Sequence, residues 1–85
     1  MTVKAIRRVK TLHGAGQLED PDGSSTSVSY ILLERGEILE GTIRAGRLPL
    51  AREGVLHLED GLRIKVILKA SDGHVAQVDS TGPPF

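Results

Sequence analysis

Three histidines, His13, His57 and His74, are the side chains best suited to hold a metal or move a proton near neutral pH. Each falls in a different segment, and no pair has the spacing of zinc ligands on one helix or hairpin. They read as exposed strand or turn histidines. No cysteine occurs, which removes disulfides and thiolate metal sites. Serines cluster at Ser24, Ser25, Ser27 and Ser29, but without a Gly-x-Ser-x-Gly elbow. A nucleophilic serine also needs a base and a third, orienting group. Carboxylates gather as Glu19, Asp20 and Asp22, and again as Glu59 and Asp60. Each group flanks an Asp-Gly turn, where aspartate accepts local backbone hydrogen bonds. Gly14-Ala15-Gly16 lacks the third glycine of a dinucleotide fingerprint and precedes no helix. It reads instead as a strand that bends or lets Tyr30 lie close over the backbone. The expectation is a non-enzymatic chain with no catalytic residue, no metal and no cofactor.

Two basic clusters remain: Lys4, Arg7, Arg8 and Lys10, then Arg63, Lys65 and Lys69 on one strand face. Such faces contact phosphates. Arg7, Arg8, Arg63, Lys65 and Lys69 are therefore the candidate ligand-binding residues, for a cyclic dinucleotide or a nucleic acid. Two observations weigh against nucleic acid. The 11 basic and 11 acidic side chains cancel, whereas nucleic-acid binders carry a basic excess or stripe. Single strands also want stacking aromatics, and Tyr30 and Phe85 are the only aromatic residues.

The elements that would position these groups are strands. Ten glycines punctuate short runs of Val, Ile, Leu and Thr, and no segment sustains a capped helical period. From Gly54 to Ser80 one apolar set recurs at every second position: Leu56 and Leu58, then Leu62, Ile64, Val66 and Leu68. A three-residue loop Glu59-Asp60-Gly61 pairs Leu58 with Leu62 and Leu56 with Ile64. A two-residue loop would set leucine beside charge, and a one-residue slip exchanges the faces. Gly61 then takes the left-handed position of a type I turn plus bulge. By the same test, a Ser71-Asp72-Gly73 loop pairs Leu68 with Ala76, Val66 with Val78, Ile67 with Gln77 and Lys65 with Asp79. The predicted meander is 54–58, 62–70 and 74–80. Its buried face comprises Leu56, Leu58, Leu62, Ile64, Val66, Leu68, Ala76 and Val78.

A third turn, Pro21-Asp22-Gly23, leaves two registers open. One sets Tyr30 opposite Gly14 and Val28 opposite Gly16; the other sets Leu18 opposite Val28. Ser24 to Ser27 extends the loop or starts the strand. Glu37 to Arg44 reads as a strand after a turn at Arg35-Gly36, with Leu39 and Ile43 inward. Ala45 to Arg52 is a connection, with Leu48 and Leu50 as a plug. Thr2 to Leu12 reads as a strand with a bulge. Gly16-x-Leu18 before Asp22-Gly23 echoes Gly54-x-Leu56 before Asp60-Gly61. Either a duplication or the chance recurrence of turn motifs produces such an echo.

The fold class is thus all-β: six to seven short antiparallel strands as a small barrel or two-layer roll. An open sheet completed by a second protomer is the alternative. With 85 residues the chain is one domain over 1–80, followed by a flexible tail at 81–85. No stretch approaches the ~20 apolar residues of a membrane span, and no secretory signal follows the basic start, so a cytoplasmic setting is expected.

Two resemblances add to this reading. Lys4-Ala5-Ile6-Arg7-Arg8 and Asp22-Gly23-Ser24-Ser25-Thr26-Ser27 are half-matches to PilZ domains, bacterial β-barrels that bind cyclic di-GMP. Those domains use Arg-x-x-x-Arg and Asp/Asn-x-Ser-x-x-Gly; here Lys4 replaces the first arginine and Ser27 the glycine. The pattern of Gly14-x-Gly16-x-Leu18, Val28-x-Tyr30 and Leu56-x-Leu58-Glu59-Asp60-Gly61 also resembles small uncharacterised bacterial β-domains, which implies a fold and no activity. The expected role is a non-catalytic module for protein–protein contact, with a protein partner or a second copy. Nucleic acid is disfavoured and no membrane is involved. Anionic-ligand binding through the basic strand face is the alternative.

Overall fold

A computed structural model describes residues 11–85. The alternating stretches form six strands: β1 (Thr11–Glu19), β2 (Ser25–Arg35), β3 (Ile38–Arg44), β4 (Glu53–His57), β5 (Arg63–Ser71) and β6 (Val75–Ser80). All neighbours are antiparallel, and the order β1-β2-β3-β6-β5-β4 closes on itself as a barrel. Among the described residues there is no helix, hence none long and apolar enough to cross a membrane. Of the segment Thr2–Leu12, only Thr11 and Leu12 are described, and both belong to β1.

Side chains of period two fill the interior. Leu18, Leu32, Ile43, Leu56, Ile64 and Val78 are the largest fully buried residues, and Val28, Tyr30, Leu39, Leu58, Val66, Leu68 and Ala76 complete the strand core. Burying each of the larger aliphatics contributes roughly 1.5–3 kcal/mol. Leu39 and Ile43 point inward as expected. Leu62 does not: at 41% exposure it lies beyond the barrel rim, on the closing pair of its hairpin. The supposed plug divides as well. Leu48 is buried, its N–H held by the Gly73 carbonyl, whereas Leu50 is wholly exposed.

The hairpin between β4 and β5 has the predicted form. Leu56 faces Ile64, the Leu58 N–H donates to the Leu62 carbonyl, and Gly61 has φ = 94°. The hairpin between β1 and β2 repeats it. Gly14 faces Tyr30, Gly16 faces Val28, the Asp20 N–H donates to the Ser24 carbonyl, and Gly23 has φ = 93°. This selects the first of the two open registers and starts the strand at Ser25. In both loops the aspartate accepts a hydrogen bond from the N–H two residues on, Asp22 from Ser24 and Asp60 from Leu62.

The loop between β5 and β6 departs from expectation. Ser71 faces Ala76, the Asp72 N–H donates to the Val75 carbonyl, and Gly73 and His74 form the turn. A bulge at Lys69 then sets Leu68 opposite Val78, Val66 opposite Ser80 and Ile67 opposite Asp79. The two-residue turn carries the partner of Ala76 from the predicted Leu68 to Ser71, and the bulge, which adds a residue to one strand only, takes one position back, so beyond it the partner of Leu68 moves from Ala76 to Val78. That net displacement is even and preserves the faces, so Val78 is still buried opposite Leu68, and Ala76, two residues before it on the same face, is buried with it. Gly73, with φ = 94°, occupies the first turn position, as Gly36 does between β2 and β3 with φ = 62°.

The two halves are thus versions of one unit: a three-residue Asp-Gly hairpin followed by a two-residue hairpin led by glycine. Exchanging β1-β2-β3 with β4-β5-β6 leaves the strand order unchanged, since β1 pairs with β4 and β3 with β6. A displacement of 38 positions carries Gly16, Leu18, Asp22, Gly23 and Val28 onto Gly54, Leu56, Asp60, Gly61 and Val66. Leu18 and Leu56, equivalent in this scheme, face each other across the β1–β4 junction. The echo in the sequence therefore has a structural counterpart.

Truncating either leucine leaves a cavity at this junction. Leu18→Ala or Leu56→Ala is expected to cost about 2–5 kcal/mol, with the double variant non-additive because the sites touch. Leu50→Ala should change stability by no more than about 0.5 kcal/mol. Urea denaturation followed by circular dichroism checks all four variants; equal midpoints for Leu18→Ala and Leu50→Ala would contradict the assignment.

Candidate functional site

The groups with chemical potential lie on separate surfaces. Outward alternation from Val28 places Ser25, Ser27 and Ser29 on the exposed face of β2. The recorded contact of Ser27 is the Gln17 amide, 3.2 Å from its Oγ, which supplies no base. His57 faces Arg63 in the β4–β5 ladder, and its Nε2 lies 2.8 Å from Glu19 Oε1 across the β1–β4 junction. His74 sits in the β5–β6 turn with Nδ1 2.8 Å from the Gly46 carbonyl. His13 is exposed on β1. Among the described residues no three His, Asp or Glu side chains are arranged to hold a metal.

Three aspartates, Asp22, Asp60 and Asp72, serve turns. Asp72 Oδ1 accepts from the N–H groups of His74 and Val75, both at 2.8 Å. Those donors favour the charged carboxylate and lower its pKa. Asp22 is lowered likewise by Ser24. Glu59 folds over the barrel mouth, where its N–H donates to the Tyr30 hydroxyl at 3.0 Å and its carboxylate approaches Gly14. Tyr30 thus lies close over the backbone at Gly14, as expected.

Asp20 differs. Its Oδ1 is shielded from solvent and accepts no hydrogen bond among the described residues. Desolvation raises its pKa, and the nearby charge of Asp22 raises it further. It borders a shallow depression of about 370 Å3 together with Glu19, Glu53 and Lys65.

The candidate ligand-binding cations are not a free set. Arg7 and Arg8 lie outside the described residues. Arg63, Lys65 and Lys69 are exposed on β5. The Arg63 guanidinium lies over the Phe85 ring, 4.7 Å from its centroid, and the Arg63 carbonyl accepts the Phe85 N–H. The Lys69 ammonium pairs with Asp79 at 2.9 Å, which holds its pKa above the ordinary value. Lys65, not Lys69, was expected to face Asp79; the two-residue displacement of the β5–β6 register transfers the pairing. Lys65 instead lines the acidic depression beside Asp20.

A different surface stands out, one that a charge-led reading of the sequence passed over. On the outer face of β2, Ile31 and Leu33 are 56% and 40% exposed. Ile31 sits between His13 on β1 and Thr42 on β3, and Leu33 between Thr11 and Glu40. The signal was present in the run Tyr30-Ile31-Leu32-Leu33, which is apolar on both faces where a half-buried strand needs only one.

Replacing Asp20 should expose the cost of its position. A carboxylic acid whose folded pKa is raised loses stability as pH rises through that pKa and regains it in acid. Asp20→Asn is therefore expected to be more stable than the parent at neutral pH, with the gain vanishing below the ordinary aspartate range. Urea midpoints measured from pH 7 down to pH 3 would read this; a gain independent of pH would contradict it.

Comparison of the chain with models of known families, with curated proteins and with solved structures finds no match.

Proposed function

We propose that this chain is a non-catalytic barrel module that acts through protein–protein contact, made by the outer face of the β1-β2-β3 sheet. The supporting observation is the exposed pair Ile31 and Leu33, flanked by Thr11 and His13 on β1 and by Thr42 and Glu40 on β3. A solitary exposed aliphatic is ordinary on any soluble surface. Two at period two on a regular strand make a contiguous strip, and such strips mark interaction sites. Glu40 and Arg35, ion-paired at 2.7 Å, lie at one end of the strip and supply a polar boundary. The strip is held by ladders on both sides, so little order is lost on docking, which favours affinity.

The test is affinity capture with the wild-type chain and with the double variant Ile31→Lys/Leu33→Lys, with Ser25→Lys as a control on the same strand. The wild type and the control should retain a partner that the double variant loses. Circular dichroism should show all three folded. Equal retention by the double variant would defeat the assignment to this face.

A further inference from the structure

The barrel closes along only part of β1. The ladder to β4 comprises Gln17 with His57, Leu18 with Leu56 and Glu19 with Val55, and it ends there. It ends because β4 turns away into its hairpin. The Glu59 N–H, next in line for the carbonyl of Ala15, donates to the Tyr30 hydroxyl instead. Backbone groups alternate sides along an antiparallel strand. The odd-numbered residues of β1 direct theirs towards the β4 side, so Thr11, His13 and Ala15 continue the row. Among the described residues, no backbone hydrogen bond reaches them from that side. All three are exposed.

Natural sheet edges are guarded by lysine, proline, inward charge or a bulge. Thr11-Leu12-His13-Gly14-Ala15-Gly16 contains no charged residue and no proline, and its pairing with β2 is unbroken. We infer that this edge takes a strand from a second copy of the chain, β1 against β1, antiparallel about a two-fold axis at His13. The inference rests on the reading of the chain as a contact module, but on a different feature from the apolar strip.

Three arguments favour a second copy as the occupant. The open row is self-complementary: Thr11 meets Ala15 and His13 meets His13, and every pair brings edge-directed groups together. The same strand already accepts an antiparallel partner of its own pattern, since Gly16-x-Leu18 lies against Gly54-x-Leu56. The new ladder would continue that established one. Finally, an axis normal to the sheet puts both outer faces on one side, so the Ile31 and Leu33 strips of two copies face the same way, flanking the paired β1 strands. An isologous contact of this kind closes at two copies.

Light scattering and analytical ultracentrifugation of the full chain across a range of concentration provide the test. The wild type should reach the mass of two chains, with amide-exchange protection at Thr11, His13 and Ala15 rising with concentration. The Ala15 N–H points away from β2, so Ala15→Pro spares the β1–β2 ladder. That variant should stay folded and dimerise at least about tenfold more weakly. His13→Lys should do the same by placing like charges opposite each other, and it reads the edge if the proline variant fails to fold. A wild type monomeric at every concentration overturns the inference while leaving the captured partner of the strip unaffected. A dimer that survives both edge substitutions but not Ile31→Lys/Leu33→Lys also overturns it and leaves the contact-module reading standing.

Discussion

The fold depends on three residue pairs. Where Gln17, Leu18 and Glu19 meet His57, Leu56 and Val55, a six-stranded sheet becomes a barrel. The approach is close enough to dictate residue type. A Cβ at Gly16 would overlap the His57 carbonyl, and a Cβ at Gly54 would come within 2.6 Å of the Glu19 carbonyl. The two glycines hold equivalent places in the two halves, so one steric demand is met twice. Leu18 and Leu56 fill the interior behind them, and the contact of Glu19 with His57 spans the outside. Without this junction both β1 and β4 would be sheet edges along their whole length.

Closure also determines where function can reside. The inward positions of a small barrel are filled by side chains, and among the described residues the buried ones are aliphatic apart from Tyr30 and Ser80. Both polar exceptions are occupied with backbone: the Tyr30 hydroxyl accepts from Glu59, and the Ser80 hydroxyl accepts from the Leu39 N–H. The polar chemistry is thereby confined to the outer surface, where it is dispersed among turns and ion pairs. What the outside offers in a contiguous, rigid form is apolar side chains on β2 and backbone at the edge of β1.

Alternation made the strands, their faces and the β4–β5 hairpin legible in the sequence, because a half-buried strand has to alternate. The β1–β2 register stayed open because Gly14 and Gly16 carry no side chain to vote for a face. It was settled by Tyr30, whose hydroxyl needs Glu59 and whose ring needs the space over those glycines. The β5–β6 register was misread because a bulge leaves no mark in a period-two pattern when the residue it adds is a lysine that suits the outside anyway. The candidate cations were found as residues but not as a site. Pairing of Lys69 with Asp79 and the docking of Phe85 under Arg63 depend on neighbours that register and tail position supply. The apolar strip and the β1 edge are properties of the barrel as a whole, since each is defined by how the described strands are arranged around it.

The connection from Ala45 to Arg52 lies outside the barrel wall, yet it joins the two equivalent meanders. Its Leu48 reaches the interior, and its ends are tied by Ala45 to His74 and by Arg52 to Leu68. A short tether of this kind holds one half in the presence of the other at an effective concentration on the order of millimolar. The β1–β4 and β3–β6 junctions, which would be bimolecular contacts between separate halves, are thus unimolecular steps. The weakest-looking stretch of the chain, with its glycine, proline and fully exposed Leu50, is what makes barrel closure independent of protein concentration.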